Sequence, residues 1–328
     1  MRQASQRRWI ERLRDRDERN ITRAMGDNGR KRLAEHYAGL MPKKGWPERN
    51  YKFLRYRLVP QIFRKLVGDP QHPKLSPPSD GKARVTWIGH ASFFVQFEEH
   101  SVLFDPNWGK WIGIVKRMRH PGILLEHLPE VDLVLVSHAH FDHLHKKSLK
   151  GVEARDGVIV PRGSAKLVRR LGFGTVTEMR IWEEGFFSGL RVMHTPSHHW
   201  GARFGHDTHR DYGGFLVASE RRSVFHCGDS AYFSGFRKIG EREDIDIALM
   251  PIGAYDPPSG RDVHMTPEEA LTAFEELGAR LMVPMHYGTF QLSNEPPEEP
   301  LDRLLAEADR RGLLGQIVVL DPGVGLEL

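Results

Sequence analysis

For nearly seventy residues the apolar side chains are sparse and spaced as on a helix. Trp9 and Leu13, then Ile21 and Met25, fall among many arginines and acids. That stripe predicts a charged, mainly helical appendage with little to bury. Between Gly68 and Gly81 the run GDPQHPKLSPPSDG is dense in Pro, Gly and Ser and predicts a linker. Residues 1–80 therefore read as a basic helical extension with its linker, and residues 81–328 as the folded body. From Arg84 the pattern changes. RVTWIG, SFFVQF and SVLFD predict three closely spaced strands, LVLVS and VIV two buried strands, and SAKLVRRLGF a helix leading to TVTEM. RVMHT, GGFLVA and SVFHC continue the strand pattern. They are followed by IDIALMP, the helix TPEEALTAFEELG, the strand RLMVP, a helix from Leu301 and the strand QIVVL. Thr266, with Pro267 next and Glu269 three residues on, marks a helix start, and Gly278 its stop. Strand runs followed by alternating strands and helices predict an α/β body of packed mixed sheets with helices outside.

Composition narrows the chemistry. No apolar run approaches the roughly eighteen residues needed to span a bilayer, and the N-terminus has no apolar stretch resembling a signal peptide, so a cytosolic location is expected. The single cysteine, Cys227, rules out an internal disulfide framework and a zinc site built on thiolates. It reads as a small buried residue. Any metal must be held by imidazole and carboxylate, and 18 histidines make that possible. The net charge of +5 is unevenly placed, with about +11 in the first seventy residues and about −6 in the rest. A basic head before a mildly acidic body suggests an anionic partner, either lipid headgroups at a membrane or nucleic acid. It also suits a solvated helix lying on the protein's own acidic surface.

The segment LVLVSHAHFDHL sets four potential ligands within six residues, directly after a buried strand. His138 and His140, two apart in extended chain, can point the same way, while Asp142 and His143 sit where the chain must turn. One such segment cannot close two metal sites. Further donors follow later apolar strands: His198 and His199 in TPSHHWG, Asp229 in CGDS, His286 in MHYGTF, and His264 in VHMTP ahead of the capped helix.

Residues Arg84 to about Leu320 resemble the metallo-β-lactamase superfamily, whose members share HxHxDH and later His, Asp and His ligands. Within it, TWIGHASFFVQ, SHAHFDHL, TPSHHW, GDSAYF, PIGAYDP, VHMTPEEA and MHYGTF, in that order, are similar to the N-acyl-phosphatidylethanolamine-hydrolysing phospholipase D branch. The resemblance implies an αββα sandwich, two mixed β-sheets flanked by helices. It implies that His138, His140 and His199 hold one metal, that Asp142, His143 and His286 hold the other, and that Asp229 bridges them. Asp142 and His264 are the candidate catalytic residues, His264 acting on the leaving group. The chain departs from the branch at GDSAY, where Thr and Gly typically follow the Asp, and in carrying His198 beside His199. Five imidazoles and two carboxylates suit two zinc ions, with iron or manganese able to use the same ligands.

The function this implies is hydrolysis of an N-acyl phosphatidylethanolamine, or a related lipid phosphodiester, by a hydroxide that the two metals activate. A lactonase or other small-molecule hydrolase, and a nucleic-acid phosphodiesterase, are the alternatives on the same centre. His90 in GHAS reads as structural or as a support for the ligands. Trp108, Trp111 and Trp200 could line an acyl channel or pack as core and lid.

Overall fold

Strands β1 (Ala83–Gly89), β2 (Ser92–Phe97) and β3 (His100–Phe104) form an antiparallel meander that is buried on both faces. Successive side chains of a strand point opposite ways. Phe93, Val95 and Phe97 accordingly enter one core, and Phe94 another. This double burial is why these strands read as continuous apolar runs rather than as alternating ones. After the small hairpin of β4 (Trp111–Ile112) and β5 (Val115–Lys116), the strands β6 (Leu133–Leu135), β7 (Val158–Pro161) and β8 (Val176–Met179) extend the sheet from β3 in parallel.

The second sheet holds six strands. β9 (Glu184–Phe187), β10 (Leu190–Thr195), β11 (Gly214–Ala218) and β12 (Ser223–His226) run antiparallel, and β13 (Ile247–Pro251) and β14 (Leu281–Met285) join β12 in parallel. β15 (Gly325–Glu327) returns to pair with β1, so the first sheet has seven strands in the order β15-β1-β2-β3-β6-β7-β8.

Residues 46–73, 75–203 and 209–328 are described by the computed structural model. The expected basic helices around Trp9, Leu13, Ile21 and Met25 lie outside them. Arg49–Leu328 forms one compact unit. One core joins the two sheets, bringing Trp87, Phe93, Phe104 and Leu135 against Val192, Phe215, Val217 and Phe225. A second lies on the far face of the first sheet, where Leu103, Val134, Val136 and Val158 meet Leu149, Ala165 and Val168 of the short helices α3 (Lys146–Leu149) and α4 (Ala165–Val168). Helices α5 (Gly235–Gly240), α6 (Pro267–Leu277) and α7 (Glu299–Arg311) add Phe236, Leu271, Phe274 and Leu304 from the other side. The result is the expected αββα layering.

α6 begins as its sequence requires. The Thr266 hydroxyl accepts from Glu269 N at 3.3 Å while the Glu269 carboxylate accepts from Thr266 N at 3.0 Å, and Gly278 ends the helix in the left-handed region at φ +63°. Each such cap contributes about 1 kcal/mol.

Two expected elements differ. QIVVL makes only an isolated bridge from Ile317 to Met282, because a 3₁₀ turn, Leu314–Gln316, leads into it and the turn at Asp321 leads out. SAKLVRRLGF is helical for a single turn, ahead of Gly172 at φ +109°. Ahead of the sheets, α1 (Trp46–Phe53) and α2 (Val59–Phe63) flank a π-helical turn over Leu54–Leu58 just before Pro60, whose ring removes a helical N–H.

Candidate metal centre

The site forms where strand ends converge. Asp105 directly follows β3, Ser137 to His143 follow β6, His199 follows β10, Asp229 follows β12, and His286 directly follows β14. After β6 the chain coils tightly, with Leu144 N donating to His140 O at 2.8 Å, which returns His143 to the same space as His138. Among the described residues, three of the six non-glycine residues with positive φ border this place: His90 (57°), Asp105 (42°) and His286 (61°). Such strain persists only where surrounding contacts impose it. Gly228, at φ +63°, sits so close to Ser137 that a Cβ would meet the serine's Cβ at 2.9 Å. That close approach lets Asp229 reach the end of β6.

The donors form overlapping groups. In one, His138 Nε2 lies 2.9 Å and His199 Nε2 3.2 Å from His140 Nδ1, and Asp229 completes the set. In another, Asp142 Oδ2 is 3.6 Å from both His143 Nε2 and His286 Nε2 and 2.9 Å from His90 Nε2. Asp229 Oδ2 stands between the two. It is 3.1 Å from His143 Nε2 and His286 Nε2, and 3.8 Å from His138 Nε2 and His199 Nε2. His264 joins Asp229 and His286 in a third group, its ring 5.1 Å from that of His199 and 5.2 Å from that of His286.

With the Nδ1 atoms of His138 and His199 engaged from behind, both Nε2 lone pairs converge on His140 Nδ1, which has at most one proton to share, and a common cation resolves that. The outer nitrogens are fixed from behind. Nδ1 of His143 donates to Asp105 Oδ2 at 2.6 Å, Nδ1 of His199 to Val263 O at 2.9 Å, and Nδ1 of His138 contacts Ser137 Oγ at 2.9 Å. Asp105 also accepts from Ser137 N at 2.7 Å and Ser137 Oγ at 2.6 Å. His140 Nε2 and Asp229 Oδ1 are buried without a hydrogen-bond partner, although buried polar groups are nearly always paired. The donor set and its orphaned atoms fit divalent cations.

Charge gives the same picture. Burial holds His138 well below the usual imidazole range, and takes His140, His199 and His264 down to about 3. Burial also opposes charge on His143 and His286, yet Asp229 and Asp142 raise both, His143 well above its usual value and His286 to about 9. Burial disfavours the Asp142 and Asp229 carboxylates in turn, but the surrounding imidazoles outweigh it and keep both ionised. The buried carboxylates thus favour positive charge at His143 and His286. Metal cations would supply that charge.

The fold brings His138, His140, Asp142, His143, His199, Asp229, His264 and His286 together in this cluster. Of the adjacent pair, His199 turns into it, while His198 lies with its ring 6.4 Å from Phe233. His90 braces Asp142. Trp200 meets His140 edge-on at 4.7 Å, whereas Trp108 donates to Ile123 O and packs on the outer core, and Trp111 is exposed on the β4–β5 hairpin. Cys227 is buried and reduced. Sequence reasoning passed over Asp105, visible only as an acid ending the apolar run SVLF, and Ser137, which precedes the first motif histidine. Among the described residues no helix is long and apolar enough to cross a membrane.

Comparison with known proteins now bears on the cluster. A family model described as a beta-lactamase superfamily domain matches residues 100–287. An uncharacterized protein of Mycobacterium tuberculosis is 32% identical over 239 residues, 69% of this chain, and the match spans 64% of that relative's length. N-acyl-phosphatidylethanolamine-hydrolyzing phospholipase D 1 of Caenorhabditis elegans is 33% identical, covering 69% of this chain and 70% of its own. A UPF0173 metal-dependent hydrolase of Methanopyrus kandleri is 32% identical, covering 74% and 99%. Among solved structures, the metallo hydrolase Igni18 of Ignicoccus hospitalis superposes with a TM-score of 0.58 at 23% identity, covering 75% of this chain and 98% of its own. Fold, matched family model and relatives agree, and the chain belongs to the metallo-β-lactamase superfamily.

Proposed function

We propose that this protein is a binuclear phosphodiesterase of phospholipase D type, acting on an N-acyl phosphatidylethanolamine or a related lipid phosphodiester. The observation that carries the binuclear reading is the position of Asp229 Oδ2 between the His138, His140, His199 group and the Asp142, His143, His286 group. The first group would hold one ion, the second the other, and Asp229 both. Zinc fits the donors best, with iron or manganese as substitutes. When bound, two such ions would supply Lewis acidity toward a phosphoryl oxygen and a water acidified from about 15.7 toward 7.

The remaining work falls to side chains. In the proposed reaction the oxygen of water bonds to phosphorus, the bond from phosphorus to the ethanolamine oxygen breaks, and that oxygen leaves as an alcohol once protonated. His264 is buried against the donors with Nδ1 unpartnered, and burial keeps it neutral. A neutral imidazole suits N–H donation to the leaving or phosphoryl oxygen. His264→Ala is expected to lower kcat by about 10²-fold while bound metal stays within a few percent of wild type. Loss of metal from this variant would make His264 a ligand, and unchanged kinetics would make it structural.

Lipid specificity is supported by the ordered motifs shared with the phospholipase D branch and by the Caenorhabditis relative. The Methanopyrus metal-dependent hydrolase is as similar and its name carries no lipid specificity, so a lactonase or other small-molecule hydrolase stands as the second reading. The basic N-terminus suits contact with an anionic membrane. The test is turnover by purified, metal-analysed protein offered an N-acyl phosphatidylethanolamine, a lactone and a short RNA. N-acylethanolamine and phosphatidate should be the dominant products, and faster opening of the lactone or cleavage of the RNA would overturn the lipid reading.

A further inference from the structure

We propose that a cationic face with apolar tips, built from residues 49–68 and 106–120, attaches this protein to an anionic lipid surface beside the candidate metal centre. The inference rests on the lipid phosphodiester reading for its purpose, although attachment can be measured whatever the substrate. The composition of the two segments is one-sided. Residues 49–68 hold six Lys or Arg and residues 106–120 hold four, of which Arg117 is buried, with no Asp or Glu in either.

The fold joins the segments edge to edge. Lys116 Nζ donates to Ile62 O at 2.8 Å and Arg64 O at 2.7 Å, and Val67 N donates to Met118 O at 2.8 Å. At the outer rim Phe63 is 83% exposed, Ile114 on the hairpin turn 66% and Val67 62%, with Tyr56, Ile62 and Trp111 also exposed. Large apolar and aromatic side chains exposed among Lys and Arg are the signature of a surface that enters the lipid interface.

Charge selects the occupant. A second copy of this face, or the basic head of residues 1–45 with its 13 Lys or Arg against six Asp or Glu, carries the same sign. A single-stranded nucleic acid would satisfy the cations and stack bases on the aromatic tips, but it offers the aliphatic Ile62, Val67 and Ile114 nothing to enter. An anionic bilayer answers both features.

The face is also mounted on the site. Met118 N donates to Thr289 O at 2.9 Å, and the buried Arg117 guanidinium donates to Asn107 O at 3.0 Å and Ile88 O at 3.2 Å. Thr289 Oγ1 accepts from His90 N at 2.8 Å, and the Phe290 ring meets His90 edge-on at 5.3 Å. The hairpin thus rests on the segment that presents His286, so a lipid held at this face lies next to the donors that would act on its phosphate.

The test is co-sedimentation of the full-length protein with phosphatidylcholine vesicles, with and without phosphatidylglycerol, alongside hydrolysis of the soluble bis(p-nitrophenyl) phosphate. Wild type should bind the phosphatidylglycerol vesicles and release with salt. Phe63→Ser with Ile114→Ser, and separately Arg64→Glu with Lys65→Glu, should each weaken binding by about tenfold or more with soluble turnover unchanged. The proposal is overturned if wild type does not sediment with the anionic vesicles, or if the apolar double variant binds them as wild type does. It is equally overturned if RNA displaces the vesicles while the apolar variant keeps RNA binding, or if the variants only dissociate a dimer. Failure of wild type to cleave the soluble phosphodiester would count against the catalytic reading alone, and the vesicle result would still decide the face.

Discussion

Asp229→Ala is expected to lower turnover by about 10³-fold, the upper end of what removing one preorganised charged group costs. It should also lose part of the bound metal. The carboxylate is buried and faces four imidazoles at 3.1–3.8 Å, so no other residue in the cluster can neutralise both donor groups at once. Ser230 and Ala231 beside it are small and buried, which leaves it free to reach inward. Steady-state kinetics with elemental analysis check this. Wild-type turnover in the variant would remove Asp229 from the centre.

Asp105→Asn should weaken metal affinity by roughly 10- to 100-fold, the usual effect of losing the group that orients a ligand imidazole. The carboxylate accepts from Ser137 N, Ser137 Oγ and His143 Nδ1 at once, and burial, which disfavours its charge, is outweighed by the neighbouring His143. An amide has one acceptor oxygen and brings an NH₂ that would face another donor. The metal-free variant should also lose about 1–3 kcal/mol of stability, the cost of a buried group left unsatisfied. Competition against a chelator measures the first effect and thermal unfolding the second. Because the ligands themselves remain, excess metal should restore turnover. Unchanged affinity would reduce Asp105 to a packing role.

How much of this was legible from residues alone follows from what each signal measures. Strand periodicity survives double burial as an apolar run, so LVLVS, VIV and RLMVP could be read directly, and Thr266, Glu269 and Gly278 announced α6 by local chemistry. The HxHxDH run named four donors because they are adjacent in the chain, whereas His199, Asp229 and His286 could be joined to them only through the family resemblance. β9 was passed over because EGFF lies on a half-buried edge and shows neither alternation nor an apolar run. QIVVL misled for the opposite reason, since its β-branched residues read as a strand while the turns before Ile317 and at Asp321 leave it a single bridge to Met282. Asp105 escaped because one acid ending a strand is ordinary. Its three hydrogen bonds, and the positive φ that aims it, are properties of the packed sheets. The Lys and Arg at residues 49–68 and 106–120 escaped as a unit because the two segments are distant in the chain and are joined by hydrogen bonds at Ile62, Arg64 and Val67 that only the fold creates.

Metal content per chain bears most directly on the central claim that two donor groups share one carboxylate. Elemental analysis of the purified protein after reconstitution and removal of excess metal should give two ions per chain, since three or four donors suffice for one. A single tightly bound ion under the same conditions would contradict the binuclear account.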